Sequence, residues 1–350
     1  MAVMRLRVGH LYPDIMCTYG DRGNVETVLR RCGWRNIDVT LTELRIGDRI
    51  SPGDLDLIVI GSGGESQQRL IAADLYKVKG AAIREAVGQG AAVLAVGGGY
   101  ELFGRFCEPG QGAELPGIGV FDAWTVRRIA THADNYRTIS AAQADRAIGD
   151  LVVRWRGRLL LGFENHSGGT YLGPEARPLG EVITGRGNNG DGTEGVIAGS
   201  AVGTNLRGPC LPRNPQLADF LIRAALGARY GADPLAPLDD ELEQAARDVA
   251  VARARRAHRA ARAGLARSAL RQNIPAMLRR PVLPGAATGP RPGPRTRAAA
   301  GVATRARRRG GGIGAVSLRG RQGSGFGDGR KANGIPAGMG WRRSRPRPGR

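Results

Sequence analysis

Two short, uninterrupted apolar runs place the strongest constraint on how this chain can fold. LDLIVI spans residues 55–60 and AAVLAV spans residues 91–96. Runs of this length without polar alternation are typical of strands that are covered on both faces in a parallel sheet. Residues 67–87, which lie between them, have helical periodicity. This order of strand, helix and strand predicts an α/β fold with a mainly parallel sheet.

The same alternation continues on either side of these runs. Residues 4–11 and 37–44 predict two more strands, and residues 21–31 predict a helix between them. The second half of the chain is richer in strand signals and ends in two helical patterns. These strands are predicted at residues 117–126, 151–155, 159–163, 180–184 and 195–206, and the helices at residues 215–230 and 238–271.

The strongly basic charge of the chain is confined to its C-terminal part. The formal net charge is +21. Residues 1–240 carry 26 Lys and Arg against 27 Asp and Glu, a net charge of −1, whereas residues 241–350 carry 26 against 4, a net charge of +22. The first 240 residues therefore have no electrostatic signature of a nucleic-acid-binding protein.

Composition also predicts the domain organisation. A globular domain is expected over residues 1–240, a helix over residues 241–273 and a disordered tail over residues 274–350. Gly and Pro make up 25 of the residues from 281 to 350, and such a segment cannot bury enough apolar surface to fold. The tail is open to three interpretations: an electrostatic arm for nucleic acid or anionic lipid, an inert extension, or a stretch of misread gene.

The cysteines and the N-terminus indicate a reduced, cytoplasmic protein. The four cysteines are widely spaced and form no CxxC pair, so neither a zinc site nor a disulfide framework is predicted. The apolar run at the N-terminus is too short for a signal peptide. No stretch reaches the length of about 18 apolar residues that a membrane span requires.

A triple-glycine turn is the most unusual motif in the sequence. LAVGGGYELFG, residues 94–104, reads as a strand that runs through a sharp turn into a helix. Many α/β enzymes present their nucleophile at such a turn, but residues 97–99 are all glycine. A second glycine loop, GSGGES, follows the neighbouring predicted strand at residues 61–66. Both loops are predicted at the carboxyl ends of parallel strands, where α/β proteins bind their ligands.

Four segments together carry a resemblance to a known family. In this order they resemble the glutamine amidotransferase subunits of bacterial lipid II isoglutaminyl synthases, in the cobyric-acid-synthase-like (CobB/CobQ-type) branch of class I amidotransferases. The resemblance covers about residues 5–258 and implies a flavodoxin-like, three-layer fold. The segments are LYPDIMCTYGDRGNVETVLRRC (11–32), LAVGGGYELFG (94–104), GFENHSGGTYLG (162–173) and GTNLRGPCLPRN (203–214).

The resemblance implies a two-subunit enzyme. The amidotransferase subunit hydrolyses glutamine, and the ammonia passes to a Mur-ligase-like partner that amidates D-glutamate in the stem peptide of lipid II. ATP and magnesium are expected at that partner, and no cofactor is expected in this chain. The implied assembly is a cytoplasmic heterodimer that has no specific nucleic-acid partner and reaches lipid II through the synthase subunit.

Both catalytic side chains that the resemblance implies are replaced in this sequence. The family's elbow reads Cys-Gly-Gly-Tyr-Gln, and Gly97 stands at the cysteine position. The family's histidine lies in a Leu-His-Gly-Pro segment, and Arg207 stands in its place. A thiolate nucleophile and a histidine that activates it work as a unit. Loss of a hydrolase nucleophile costs about 10⁶ in kcat, so we expect the fold to be kept and the glutaminase activity to be lost.

Supporting parts of the site are still present. The backbones of Gly63 and Gly98 are the candidate oxyanion donors, and Arg146 matches the arginine that binds the carboxylate of the substrate. About fifteen extra residues precede Arg146, which leaves other arginines as alternatives. These alternatives are Arg127, Arg128 and Arg137.

Other cysteines and histidines are candidate replacements for the two missing side chains. Cys107 is expected to be a buried thiol, and His166 to have a structural or positioning role. Cys17 is the remaining candidate nucleophile, whereas His10 ends the first strand and His132 lies among the extra residues. Four functions therefore stay open: a glutaminase subunit, a non-catalytic subunit of the same complex, an anion-binding module, and the product of a decaying or misread gene.

Overall fold

The computed structural model describes residues 4–110, 112–127, 146–231 and 235–272. The tail predicted from residue 274 onward lies outside this range, as do Arg128, His132 and Arg137.

A six-stranded sheet forms the centre of the molecule. Its strand order is β13-β14-β4-β3-β1-β2, and only the edge strand β13 is antiparallel to its neighbour. The predicted, mainly parallel sheet is therefore confirmed. The strands are β1 (Arg5–Leu11), β2 (Asp38–Leu44), β3 (Leu57–Ile60), β4 (Ala92–Val96), β13 (Val196–Ala198) and β14 (Ala201–Thr204).

Helices cover both faces of this sheet, which confirms the three-layer arrangement. On one face, Val25 and Val28 of α1 (Arg22–Gly33) and Leu221 of α6 (Pro215–Tyr230) pack against alternate strand residues. The other face is covered by α2 (Glu65–Asp74), α3 (Gly80–Gly88) and α4 (Gly98–Phe103). Residues of β3 and β4 are buried on both sides, and full burial of one such side chain contributes roughly 1.5–3 kcal/mol.

The predicted helix over residues 67–87 is interrupted by a π-helical turn, Leu75–Lys79. Lys79 is fully buried and forms an ion pair with Asp74. The hydroxyl of Tyr12 donates a hydrogen bond of 2.7 Å to the same carboxylate. Helical periodicity alone does not reveal this buried ion pair, because a lysine is expected on the solvent face.

Two further sheets of four strands extend the molecule. One has the order β10-β7-β5-β6 and the other β12-β11-β8-β9. The first comprises β5 (Phe106–Glu108), β6 (Leu115–Pro116), β7 (Ala123–Val126) and β10 (Gly169–Leu172), and the second β8 (Ala147–Trp155), β9 (Arg158–His166), β11 (Gly180–Thr184) and β12 (Thr193–Glu194).

Two of the predicted strands differ from the structure. The segment predicted as a strand over 117–126 is extended only from Ala123, because Ile118 and Phe121 donate backbone hydrogen bonds to residues of α4. The predicted strand over 195–206 folds back on itself as β13 and β14, with the tight turn at Gly199, where φ is 58°.

The chain continues into α5 (Cys210–Arg213) and a long C-terminal helix, α7 (Glu241–Gln272). Val251 and Ala254 of α7 pack against Val152 and Leu161 of the second small sheet. Within the residues that the structure describes, no helix is long and apolar enough to cross a membrane.

Candidate functional site

The triple-glycine turn lies at the carboxyl edge of the central sheet. β4 ends at Val96, and Gly97 turns the chain into α4 with φ 55° and ψ −114°. The Gly97 N–H donates to the Thr204 carbonyl at 2.8 Å, and the Glu101 N–H donates to the Gly97 carbonyl at 3.0 Å. Residues with a side chain rarely adopt a positive φ of this kind. The chain therefore keeps the strained turn of a nucleophile elbow, although it has no nucleophile there.

The side chain of Arg207 fills the place that an elbow side chain would take. A Cβ atom added to Gly97 would lie 2.4 Å from Arg207 Nη1 and 2.6 Å from Arg207 Cζ. The next atom, at 2.9 Å, is Ser62 Oγ. Arg207 is held in this position by its backbone, which exchanges hydrogen bonds of 2.8 and 3.2 Å with Phe163 of β9. The structure therefore brings together the two substituted positions, 97 and 207, that are 110 residues apart in the sequence.

The Arg207 guanidinium is almost completely buried. The residue is 4% exposed, and its Cζ lies 5.4 Å from the centre of the Tyr19 ring, at a cation–π distance. Its Nε has no hydrogen-bond partner among the described residues. Burial lowers the pKa of Arg207, and the negative charge of Glu101 opposes that effect.

Glu101 supplies a buried negative charge one helical turn beyond Gly97. It is 4% exposed, and it accepts hydrogen bonds from Gln68 Nε2 at 2.7 Å and from Arg127 Nη2. Burial alone would raise the pKa of Glu101, but the charges of Arg127 and Arg207 outweigh it and hold this pKa below its ordinary value. Glu101 is thus a buried, ionised carboxylate that is hydrogen-bonded to Arg127 and stabilised by the charge of Arg207.

The arginines predicted to bind substrate occupy different environments. Arg127 contacts the elbow helix through Glu101, and it also reaches Gln68 Oε1 at 2.8 Å and Glu65 Oε2 at 3.6 Å. Arg146 is exposed and donates from Nε to Asn165 Oδ1 at 2.7 Å. The structure therefore joins Arg127, the alternative, to the elbow, and it places Arg146 on the surface at the start of β8.

The two glycine loops touch each other at the elbow. A Cβ atom on Gly98 would lie 2.4 Å from the Gly63 carbonyl oxygen and 3.1 Å from the Gly63 nitrogen. Only glycine allows such a close approach of two backbones. The predicted oxyanion positions, Gly63 and Gly98, are therefore neighbours beside Gly97.

Asp21 and Ser62 also belong to the site, although the sequence reasoning did not single them out. Asp21 Oδ2 accepts a hydrogen bond of 2.9 Å from the Ser62 N–H. Burial raises the pKa of Asp21, whereas hydrogen bonding to Ser62 and the charge of Arg207 oppose that effect. Asp21 lies in the motif GDRGN and Ser62 lies in the motif GSGGES. Both motifs adjoin elements at the same edge of the sheet, and this was the signal available in the sequence.

Comparison with known proteins identifies the family of this chain. The family model for a CobB/CobQ-like glutamine amidotransferase domain matches residues 7–215. The chain belongs to the CobB/CobQ-like glutamine amidotransferase family.

Two relatives of this amidotransferase carry the name of lipid II isoglutaminyl synthase (glutamine-hydrolyzing) subunit GatD. The one from Staphylococcus aureus is 32% identical over 255 residues, which cover 72% of this chain and 97% of the relative. The one from Streptococcus pneumoniae is 31% identical over 241 residues, covering 68% and 87%. A cobyric acid synthase from Pelotomaculum thermopropionicum is 30% identical over 157 residues, covering 43% of this chain and 28% of that protein.

A solved structure described as PurLQS from Thermotoga maritima aligns with 64% of this chain and 99% of its own, at 13% identity and a TM-score of 0.41. At so low a score, the fold assignment rests on the sheet topology and the family match, which together establish the α/β fold of class I amidotransferases.

Three of the four thiols of this amidotransferase are buried, and the fourth is half-buried. Cys107 is buried in β5 and donates to Glu101 Oε2 at 3.5 Å, and burial raises its pKa. Burial likewise raises the pKa of Cys32, to about 12, and the pKa of Cys210. Cys17 is half-buried, and its sulfur accepts a hydrogen bond from the Arg22 N–H at 3.3 Å. A buried neutral thiol is a poor nucleophile.

The remaining histidine candidates are also held by the protein. His166 contacts the Gly168 carbonyl through Nδ1 at 2.9 Å, and its Nε2 lies 3.5 Å from Glu164 Oε2. His10 is buried at the end of β1, and burial lowers its pKa. Over the described parts of the chain, no cluster of three or more His, Cys, Asp or Glu residues could hold a metal ion.

Proposed function

We propose that this chain is the amidotransferase-type subunit of a lipid II isoglutaminyl synthase in which glutamine hydrolysis has been lost. It acts as a non-catalytic subunit that binds a Mur-ligase-like synthase partner in a heterodimer. That partner uses ATP and magnesium to amidate D-glutamate in the stem peptide of lipid II, with ammonia taken from solution. Because the partner would need ATP, we expect the complex in the cytoplasm.

One observation carries this proposal: the guanidinium of Arg207 lies where the Cβ of an elbow cysteine would be, with Nη1 2.4 Å from that position. A thioester intermediate requires a sulfur atom at the elbow and a base that takes its proton. Gly97 provides no sulfur, and an arginine stays protonated in a protein, so it cannot act as that base. The backbone groups that would stabilise an oxyanion remain, but they have no tetrahedral intermediate to stabilise.

Support for the assembly comes from the two relatives named as GatD, which align over 72% and 68% of this chain. The names of these relatives describe a subunit of a glutamine-hydrolysing synthase. We assign the subunit role to this chain, but not the hydrolysis. The retained elbow turn and the intact core allow the fold to keep its binding surfaces after the chemistry is lost.

The nitrogen source of the reconstituted complex tests the proposal. The chain is purified together with a Mur-ligase-like subunit from the same source, and amidation of lipid II is followed by mass spectrometry. We expect ammonium chloride to support amidation and L-glutamine to support none above background. Amidation with glutamine at a rate similar to that with ammonium would overturn the loss of hydrolysis.

The subunit role has its own control. The synthase subunit alone is compared with the same subunit plus this chain, both with ammonium as the nitrogen source. We expect the chain to co-purify with the synthase subunit and to increase its activity or its thermal stability. No co-purification and no change in either quantity would refute the role as a partner.

A further inference from the structure

We infer that the glutamine site of this chain is occupied by the chain itself: Arg207 fills the space beside Gly97 and Glu101 holds Arg127, so that glutamine is excluded as well as its hydrolysis. This inference rests on the proposed function and goes one step further, because a site that has lost its nucleophile could still bind substrate. Three properties of the described residues lead to it, namely space, charge and the use of hydrogen-bond donors.

The first property is space. The absent side chain at position 97 is what makes room for Arg207, since any Cβ there would lie 2.4 Å from Nη1 and 2.6 Å from Cζ. Contacts this short are far inside van der Waals separation, so a side chain at position 97 and the present position of Arg207 exclude each other. A substrate amide that approached the elbow would meet the same guanidinium.

The second property is charge. A guanidinium that is only 4% exposed cannot be left unpaired without a large desolvation cost. Glu101 lies one helical turn from Gly97 and is equally buried. The charges of Glu101 and Asp21 both oppose the effect of burial on the pKa of Arg207. The protein therefore supplies negative charge that offsets the burial of this guanidinium.

The third property is the use of donors. Arg127 is the guanidinium joined to the elbow helix, and a fork of this kind is well suited to hold the carboxylate of an amino acid. Its Nη2 group already donates hydrogen bonds to Glu101 and Gln68, and its Nη1 lies 3.6 Å from Glu65 Oε2. An incoming carboxylate would compete with Glu101 for Arg127, and a displaced Glu101 would be buried without the positive charge that stabilises it. Both ends of a glutamine binding site are thus filled from within.

Chemical rescue tests whether a guanidinium holds this space. Arg207→Ala removes the side chain and leaves a guanidinium-shaped space beside Gly97. We expect guanidinium chloride, at concentrations far below denaturing ones, to raise the Tm of this variant by several degrees, because a ligand that binds only the folded state stabilises it. Sodium chloride and urea at equal concentration serve as solute controls. Arg154→Ala is the matched protein control, because Arg154 is an exposed arginine paired with Glu181.

Rescue confined to Arg207→Ala supports the inference. An equal response of Arg207→Ala, Arg154→Ala and the unmodified chain overturns it.

Calorimetric titration of the unmodified chain with L-glutamine provides a second test that needs no variant. We expect no binding at about 10 mM glutamine, which is well above the usual KM range of about 1 μM to 1 mM. Binding without ammonia release overturns the self-occupied site but leaves the proposed non-catalytic role standing. Binding with ammonia release overturns both.

Discussion

Substitution of Gly97 by cysteine tests the steric relation between the elbow and Arg207. A cysteine at position 97 would have a φ of 55°. Its Cβ would meet Arg207 Nη1 at 2.4 Å and Ser62 Oγ at 2.9 Å. A residue with a side chain in this sparsely populated backbone conformation costs about 1–3 kcal/mol, and overpacking costs about 1–3 kcal/mol. The two costs together destabilise Gly97→Cys by roughly 2–6 kcal/mol, a large share of the roughly 5–15 kcal/mol by which domains are stable.

The double variant Gly97→Cys with Arg207→His separates these two costs. Shortening the side chain at position 207 relieves the overpacking but leaves the backbone cost of the cysteine. We therefore expect the double variant to be more stable than the sum of the single effects predicts, by at least about 1 kcal/mol. Independent sites add within about 0.3–0.5 kcal/mol.

Urea unfolding of the full chain, followed by circular dichroism and tryptophan fluorescence, gives the four free energies of the cycle. The steric control is the pair Gly97→Cys with Arg154→Ala, which should be additive because Arg154 is an exposed residue of β8. If the Gly97–Arg207 cycle is also additive within error, Arg207 does not fill the elbow and the reasoning is refuted.

Three further predictions follow from the same structure. Glu101→Gln should destabilise the chain by about 3–5 kcal/mol at neutral pH. The pKa of Glu101 is lowered in the folded chain. The difference in unfolding free energy between the unmodified chain and the variant should therefore be complete above the unfolded carboxyl pKa of about 4.3 and should shrink as the pH falls further. A difference that does not depend on pH would contradict this prediction. In native protein, a thiol reagent should label Cys17 far faster than the buried Cys32, Cys107 and Cys210, and fast labelling of Cys107, mapped by mass spectrometry, would reopen its candidacy as a nucleophile. Arg31→Met should lower the free energy of unfolding by about 3–5 kcal/mol, because Arg31 is buried and forms ion pairs with Asp219 at 2.7 Å and Asp240 at 2.6 Å. A loss below about 1 kcal/mol, the value of a surface ion pair, would contradict the buried character of these ion pairs.

Local patterns in the sequence were sufficient for the central part of the fold. The apolar runs at residues 55–60 and 91–96 became β3 and β4, because a strand buried on both faces leaves an uninterrupted apolar signal. The elbow could be located for the same reason, since glycines at the carboxyl ends of such strands mark a turn and a possible ligand site.

The contacts that define the site could not be predicted in this way. Arg207 and Gly97 come together only through the pairing of β14 with β4, and Arg127 meets Glu101 through the packing of a separate sheet. Periodicity describes only near neighbours in the sequence. Arg146, which matches the family's substrate-binding arginine, stays a prediction, whereas the contact of Arg127 with Glu101 and the burial of Lys79 beside Asp74 emerge only in the structure.

The compensation between these residues bears on the origin of the substitutions. Random decay of a gene would leave a buried arginine without a carboxylate, or a cavity at the elbow. In this chain, the space left at Gly97 is filled by Arg207, and the charge of Glu101 opposes the effect of burial on the pKa of Arg207. This arrangement favours a subunit that is maintained as a folded protein over the product of a decaying gene.

A crystal structure of the chain soaked with L-glutamine tests the central claim most directly. We predict that the Arg207 guanidinium packs against Gly97, that Arg127 stays bound to Glu101, and that no density for glutamine is present beside the elbow. An Arg207 side chain turned away from Gly97, with a glutamine molecule seated between the elbow and Arg127, would contradict the account.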